Sequence, residues 1–403
     1  MIRRNLSLFF LLLCACLGFS FAAFKIANSY SHIITEDPTE IIIDFPNETP
    51  IEIPKAKASS AIQVALLLDT SGSMDGLIEQ AKSQLWNILN ELARTEKNDQ
   101  ETDLQIALYE YGNPSSSNNN FQIHQLSEFT NDMDLISEKL FSLKTDGGQE
   151  YCGAVIQKSM EDLSWNDDES LKIIYIAGNE PFSQGPVNYK EVCEKAKSNG
   201  IVVNTIFCGS QDEGIKGEWN IGAIVGGGDF ISISQNKETV YVSTPYDIKI
   251  DQLNVQLNET YIPYGSKGNE KKNNQVLQDE NAKDYSLSNV ADRISFKSSK
   301  KYKADDWDLV DAYKKDKSVL KNADIKSDKY KEMTIEDLES NIVAVSLERE
   351  TIQSQIKDLD KKRREYKFIE TNKKGNDKEN SLQQSIIQTI RKQAFKKGFV
   401  IKE

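Results

Sequence analysis

Apolar runs alternate with helical patterns between residues 60 and 262. The first run, at residues 62–68, is apolar except at Gln63, which is typical of a strand that is buried on both faces of a sheet. An amphipathic helix is predicted next, because Leu77, Leu85 and Leu92 fall on one stripe at helical spacing. Repeated alternation of this kind is typical of parallel strands joined by crossover helices. The pattern therefore predicts an α/β domain with a doubly wound, mostly parallel sheet.

The remaining elements follow the same logic. Further strands are predicted at 104–111, 121–126, 171–177, 201–208, 230–233 and 240–242. Helices are predicted at 76–93, around 135–141 and 155–160, and at 189–197, 221–225 and 248–257. The domain is thus expected to end near residue 262.

The N-terminal residues 1–24 have the pattern of an export signal. Arg3 and Arg4 precede an apolar run at 8–24. Three forms of this segment remain open: cleavage near the small residues of SFA at 20–22, a lipoprotein signal in which LCAC at 13–16 presents Cys16 for lipidation, or an uncleaved membrane anchor. Cys14 is an unusual residue for a lipobox. All three forms place the rest of the chain outside the cytoplasm, in the periplasm, at the cell surface or anchored to the membrane.

The segments around the α/β domain differ from it in composition. Residues 25–59 carry four prolines and predict an extended linker. Residues 263–334, rich in Lys, Asn and Gln at their start, predict a flexible and only partly ordered segment. Residues 335–403 predict a helical, coiled-coil-like extension, although Arg349 and Arg363 interrupt its apolar stripe. We expect this stripe to pack against residues 380–395 or a partner helix, and the extension to be dispensable for folding.

Charge and cysteine content narrow the classes of function. The net charge of −13 over 403 residues argues against binding to nucleic acid or to an anionic membrane surface. Contact with a membrane is expected only through the N-terminal segment. The cysteines after this segment are Cys152, Cys193 and Cys208, and an exported chain permits a disulfide. Cys193–Cys208 is the pair that we predict, with Cys152 as second choice.

The strongest chemical signal is the sequence DTSGSM at residues 69–74, directly after the first strand and before a helix. The carboxyl end of a central strand faces the ligand crevice of an open α/β sheet. A tight turn there directs the oxygens of Asp69, Ser71 and Ser73 toward one point. One carboxylate and two hydroxyls are hard ligands, suited to Mg²⁺ or Mn²⁺.

These residues resemble the metal-ion-dependent adhesion site of von Willebrand factor type A (vWA) domains. DTSGS at 69–73 matches the D-x-S-x-S pattern, and VALLL at 64–68 matches the strand before it. The resemblance covers residues 60–262 and implies a Rossmann-like fold. Further stretches resemble a bacterial exported subgroup of the family, and this likeness names no substrate: 69–77, 109–112, 148–153, 176–182, 204–209 and 244–247.

The resemblance implies two further metal-binding positions, and the chain departs from the family at both. A Thr is expected in a later loop, where this chain has Gln149 and Glu150. An Asp is expected after the fourth strand, where it has Asn179 and Glu180. We therefore retain all four as candidate ligands. Glu150 would add a second carboxylate, which strengthens cation binding but reduces the attraction for an acidic partner.

No catalytic constellation is evident. The two histidines, His32 and His124, lie in the linker and in a predicted strand, so neither is placed to serve as a base for Ser71. The expected function is divalent-metal-dependent binding or adhesion at the bacterial cell envelope, without enzymatic activity, in which a partner protein's acidic side chain completes the metal shell. The alternative is a structural or assembly scaffold with a degenerate metal site that acts through its C-terminal helix, and self-association through this helix is a further expectation.

Overall fold

The structure is a computed structural model. It describes residues 60–115, 121–166, 169–234, 241–325, 327–373 and 382–402. All of them belong to one compact unit, Ala58–Glu403. The predicted signal segment, Cys16 and the proline-rich linker lie outside the described residues.

A six-stranded sheet forms the centre of the molecule. Its strands are β1 (Ala61–Asp69), β4 (Asp103–Tyr111), β5 (Ile123–Thr130), β6 (Leu171–Gly178), β7 (Ile201–Cys208) and β8 (Gly227–Ile233). Their spatial order is β5-β4-β1-β6-β7-β8, and only β5 is antiparallel to its neighbour. The predicted doubly wound, mostly parallel sheet is confirmed, with β1 at its centre.

Helices cover both faces of this sheet. They are α1 (Asp75–Ala93), α2 (Met133–Ser142), α3 (Cys152–Asp162), α4 (Tyr189–Ser198), α5 (Gln211–Lys216), α6 (Trp219–Val225) and α7 (Asp247–Glu259). Alternate residues of β1 enter two separate cores: Val64 packs with α1, α2 and α7, whereas Ala65 and Leu67 pack with α3, α4 and α6. Burial on both faces explains the apolar run of the first strand.

Two predicted strands differ from the structure. The strand placed at 121–126 lies later, at Ile123–Thr130, because it pairs with β4 so that Glu110 lies opposite His124. The strand predicted at 240–242 is absent from its described part, Tyr241 and Val242.

The prediction of a flexible segment at 263–334 differs from the structure over most of its length. This segment holds α8 (Gly268–Tyr285), α9 (Leu287–Lys297), α10 (Leu309–Lys315) and a 3₁₀ turn (Lys317–Lys321). The polar composition of α8 suggested flexibility, but buried polar side chains of this helix form hydrogen bonds and ion pairs inside the protein. Asp279 is buried and accepts hydrogen bonds from Arg293 at 3.1 Å and Lys297 at 2.6 Å. A polar helix is ordered when its buried groups find partners.

The C-terminal region is helical, as predicted, but its packing differs from the expectation. It comprises α11 (Ile335–Lys373), α12 (Leu382–Lys396) and β9 (Phe399–Ile401). α11 packs mainly on α7, α9 and α10, whereas α12 packs on α1 and the sheet. The expected pairing of α11 with residues 380–395 was therefore wrong. Strand β9 joins a small separate sheet with β2 (Thr95–Lys97) and β3 (Gln100–Glu101).

Both arginines of the α11 stripe hold the helix in place, each with 1% of its surface exposed. Arg349 contacts Asp308 at 2.6 Å and Thr260, at the end of α7, at 3.0 Å. Arg363 contacts Asp247, at the start of α7, at 2.7 Å. α11 therefore runs antiparallel to α7, with one buried ion pair near each end of the shorter helix.

The predicted disulfide between Cys193 and Cys208 is not formed. Cys152, Cys193 and Cys208 are buried free thiols. Cys193 lies in the core on the α3 and α4 side of the sheet, and Cys208 lies in the core on the other side. The sheet lies between the two sulfurs. Successive side chains of β7 point to opposite faces of the sheet, and Cys208 points to the face away from Cys193. Among the helices in the described part of the chain, none is long and apolar enough to cross a membrane.

Candidate metal site

The turn after β1 carries the three residues of the D-x-S-x-S pattern. Its entry is held by Thr70, whose backbone N–H donates to the carbonyl of Tyr111 on β4 at 2.9 Å. Asp69 Oδ1 then accepts from the backbone N–H of Ser71 at 2.8 Å, and Met74 N–H donates to the carbonyl of Ser71 at 3.0 Å. Helix α1 begins immediately afterwards. Local hydrogen bonds therefore fold the turn at the carboxyl edge of the sheet, as the sequence predicted.

Asp69 is a buried carboxylate with one oxygen unused. Its residue surface is 0% exposed, and Oδ2 has no hydrogen-bond partner among the described residues. Ser71 Oγ is likewise buried and makes no regular hydrogen bond there. Burial raises the pKa of Asp69 from 3.8 to about 7, an effect that Ser71 partly offsets and that the charges of Glu150 and Glu180 increase. A buried, unpartnered carboxylate is costly unless a cation compensates its charge.

Two glycines leave space around this carboxylate. A Cβ on Gly112, which has a φ of +77°, would lie 2.9 Å from Asp69 Oδ1 and 3.0 Å from Glu150 Cγ. A Cβ on Gly178 would lie 3.0 Å from Asp69 Oδ2. Gly112 directly follows β4 and Gly178 is the last residue of β6, and these two strands flank β1 on either side. Any larger residue at either position would fill the space beside the carboxylate.

The loop between α2 and α3 brings Glu150, but not the side chain of Gln149, to the turn. The loop is tied to the turn by Asp146, whose N–H donates to the carbonyl of Thr70 at 3.0 Å. Glu150 is 6% exposed, and burial raises its pKa, with the charge of Glu180 acting in the same direction. The exposed Gln149 side chain instead accepts a hydrogen bond from Tyr151. Glu150 is therefore the residue that occupies the later-loop position.

The loop after β6 supplies Asn179. Its amide Nδ2 donates to Ser73 Oγ at 2.9 Å, while its Oδ1 is buried without a partner among the described residues. Glu180 is exposed, and its negative charge raises the pKa values of Asp69 and Glu150 from nearby. Asn179 thus contacts a site residue directly, whereas Glu180 acts on the site only through its negative charge.

Gln184 also reaches the site, although no sequence motif indicated it. Its Nε2 donates to Glu150 Oε2 at 3.4 Å, and its Oε1 is buried without a partner in the described structure. Its loop is anchored by Phe182, which is buried against Tyr189 and Trp219. Trp219 Nε1 also donates to the carbonyl of Glu180 at 2.7 Å. The aromatic contacts therefore fix the loop that presents both Asn179 and Gln184.

Glu110 and His124 form a separate pair behind the turn. Glu110 is buried and accepts from Thr70 Oγ1 at 3.2 Å, and His124 Nδ1 lies 3.1 Å from its other oxygen. His124 is half-exposed and belongs to β5. The pair is therefore joined to the turn through the Thr70 hydroxyl.

The donor set fits a hard divalent cation. Asp69 Oδ2 and Ser71 Oγ are the unused buried oxygens, the two glycines leave room beside them, and Ser73, Glu150 and Asn179 adjoin them. No group of three or more His, Cys, Asp or Glu side chains arranged for a metal occurs among the described residues. The candidate donors are instead one or two carboxylates together with hydroxyls, ligands that suit a hard divalent cation.

A parallel sheet with a hydroxyl-rich turn at its carboxyl edge defines a Rossmann-like class of domain with a candidate cation site. Residues 63–214 match the family model of the von Willebrand factor type A domain, and this part of the chain is a vWA domain. The assignment agrees with the resemblance carried by DTSGS.

Several solved structures are similar to the chain. Proximal thread matrix protein 1 from the mussel byssus is 14% identical over 44% of this chain and 42% of its own, with a TM-score of 0.33. BatB from Bacteroides thetaiotaomicron is 16% identical over 43% of this chain and 90% of its own, also with a TM-score of 0.33. A structure of the mussel protein with a zinc-occupied MIDAS motif is 14% identical over 44% of this chain and 43% of its own, with a TM-score of 0.33. The chain thus spans less than half of the mussel protein. No curated protein matches it.

Proposed function

We propose that this protein binds another protein or ligand through a divalent cation held at the turn after β1. The observation that carries the proposal is the buried pair of unused oxygens, Asp69 Oδ2 and Ser71 Oγ. Leaving such groups unpaired costs free energy, and a bound cation removes that cost. The family match to residues 63–214 supports the same interpretation.

Each site residue has a distinct part in this proposal. Asp69 supplies the principal charge, Ser71 and Ser73 supply neutral oxygens, and Glu150 supplies a second carboxylate. Asn179 orients the Ser73 hydroxyl. Mg²⁺ or Mn²⁺ is the cation that we propose, and it would offer a position to an oxygen of the partner, such as an acidic side chain. The role is binding without catalysis, because the His124 ring is engaged with Glu110.

The location follows from the N-terminal sequence. The basic and apolar residues 1–24 support export to the cell envelope, with any membrane attachment made through this segment alone. We propose this location together with the binding function, because an envelope protein meets its partners at a surface.

Calorimetric titration of the full chain with Mg²⁺ and Mn²⁺ tests the metal site. Asp69→Asn should abolish binding, since it removes the charge but keeps an acceptor for the Ser71 N–H. The variant should remain folded. Burial raises the pKa of Asp69 from 3.8 to about 7, so ionisation of this carboxyl destabilises the metal-free protein as pH rises between these two values, whereas Asn does not titrate. Asp146→Asn is the control, as it removes an exposed charge from the adjoining loop.

Unchanged affinity in Asp69→Asn, or no binding by the wild type, would favour a second candidate function. Helix α11 exposes Leu347, Phe368 and Ile369, with 61%, 70% and 52% of their surfaces accessible. Exposed apolar side chains of this size favour contact with another protein or another copy of the chain. In that case the vWA domain would act as a scaffold, and α11 would be its binding element.

A further inference from the structure

The carboxylate of Glu150 is held at the edge of the site by a residue outside the metal-binding pattern. Gln184 Nε2 donates to Glu150 Oε2 at 3.4 Å. A Cβ on Gly112 would lie within 3.0 Å of both Glu150 Cγ and Asp69 Oδ1, so the two acidic side chains border one small space. Glu150 is therefore directed toward Asp69 although both residues are acidic.

The loop that carries Gln184 is rigid enough to impose this arrangement. Phe182 is fully buried, and its N–H donates to the carbonyl of Gly217 at 2.8 Å. Gln184 N–H closes a turn onto the carbonyl of Pro181 at 2.9 Å. The following Gly185 lies against the ring of Tyr151, where a Cβ would be 2.4 Å from the ring. Backbone bonds and packing thus fix Gln184 beside Glu150.

Two amides of this loop share an unusual feature. Asn179 and Gln184 each donate an N–H to a site residue, Ser73 and Glu150 respectively, and each has a buried oxygen without a described partner. Together with Asp69 Oδ2 and Ser71 Oγ, these are four buried oxygens of the turn and its adjoining loop that lack hydrogen bonds in the described structure. Such a concentration of unused oxygens indicates that the loop belongs to the ligand-binding site.

We propose that Glu150 is an internal carboxylate ligand, held by Gln184, which an acidic partner must displace from the cation. The inference rests on the proposed function of the site. Asp69 and Glu150 together balance the charge of a divalent cation, so an external carboxylate would bring a third negative charge. Like charges in a half-buried site repel strongly. The site therefore binds the cation well but accepts an acidic partner only when Glu150 withdraws.

Mn²⁺ titration of the full chain, followed by water-proton relaxation, tests this inference. Relaxation reports both the affinity for Mn²⁺ and the number of water molecules on the bound ion. Glu150→Ala should weaken Mn²⁺ binding about 10- to 100-fold and add about one bound water. Gln184→Ala, which leaves the carboxylate in place but unheld, should weaken binding by a smaller factor and raise the average water number. Glu194→Ala, which removes an exposed charge from α4, is the control and should leave the water number unchanged.

Acetate then serves as a probe of an external carboxylate. In the Mn²⁺-loaded Glu150→Ala variant, acetate should displace water at a concentration about tenfold lower than in the wild type. Glu150→Gln, which keeps the size of the side chain, should show the same order of affinity for acetate if the alanine variant does not fold.

The outcomes separate this inference from the proposed function. If the wild type binds Mn²⁺ but Glu150→Ala leaves affinity, water number and acetate binding unchanged, the inference is wrong and the proposed function stands. If the wild type does not bind Mn²⁺, the proposed function fails and this inference fails with it. Weaker Mn²⁺ binding together with tighter acetate binding in Glu150→Ala would support both the proposed function and this inference.

Discussion

At the scale of single residues, Gly112 shapes the candidate site through its backbone conformation and through the side chain that it lacks. Its φ of +77° belongs to the left-handed region, and its missing side chain leaves the space that Asp69 and Glu150 border. Conformation and space are two separate requirements at this position. A second glycine, Gly265, has a φ of +74° and no heavy atom within 4 Å of a built Cβ.

We expect Gly112→Ala and Gly265→Ala to have the same conformational cost but different effects on metal binding. Gly265→Ala should lower the free energy of unfolding by about 1–2 kcal/mol, the cost of a left-handed alanine, and Gly112→Ala should lower it further because its Cβ would also lie 2.9 Å from Asp69 Oδ1. Only Gly112→Ala should also weaken Mg²⁺ binding, because its Cβ enters the space beside Asp69. Urea unfolding and calorimetry measure the two effects. Equal Mg²⁺ affinity in the two variants would show that the space at Gly112 is not the metal site.

The residues also show how far a sequence can predict a site. Asp69, Ser71 and Ser73 were predictable because one short turn brings them together. Glu150 was predictable only through the family resemblance. Gln184 was not, since its position depends on Phe182 packing against aromatic residues of later helices. The position of a side chain is therefore predictable where local geometry decides it and not where tertiary packing does, and the binding of a metal by these residues stays a prediction.

At the scale of secondary-structure elements, buried charges fix α11 on α7 together with apolar residues such as Ile352 and Ile356. The sequence analysis counted Arg349 and Arg363 as interruptions of an apolar stripe, yet both bind buried carboxylates. The carboxylates are far away in sequence, so periodicity along one helix gives no sign of them. The same reason explains why α8 and α9 were taken for a flexible segment.

Arg363→Ala should destabilise the protein by about 3–5 kcal/mol, because it leaves Asp247 buried without its counter-charge and Asp292 with Lys367 alone. Arg364→Ala is the matched control on the same helix. Its half-buried ion pair with Asp360 spans one helical turn and should contribute at most about 0.5 kcal/mol. Urea unfolding of both variants provides the comparison, and similar losses would contradict a special role for Arg363.

At the scale of the whole molecule, the vWA domain and the C-terminal helices share one core. Leu382, Ile386 and Ile390 of α12 enter the same apolar cluster as Val64 and Leu85. Tyr175 on β6 also contacts Thr389 at 2.5 Å, and Asn204 on β7 exchanges two hydrogen bonds with Gln393. The expectation that residues 335–403 are dispensable for folding therefore conflicts with the structure.

Removal of residues 374–403 should expose the apolar face of the sheet under α12. We expect a chain shortened in this way to bind a hydrophobic dye and to lose its cooperative urea transition. Two substitutions on α12 refine the test: Ile390→Ser at a fully buried position should reproduce part of the loss, and Phe395→Ser at a 79% exposed position should not. If the shortened chain kept an unchanged urea transition, the expectation that the C-terminal residues are dispensable for folding would be right instead.

The position of α12 near the end of the chain has a consequence for biogenesis. The contact between Tyr175 and Thr389 joins residues 214 positions apart, and the hydrogen bond between Gln84 and Gln383 joins residues 299 positions apart. Contacts between such distant residues form late, because closing the intervening chain costs entropy first. The central sheet therefore cannot acquire its complete cover until residues 382–396 have been synthesised. Until then, we expect the apolar side chains that α12 covers to stay open to solvent or to other proteins.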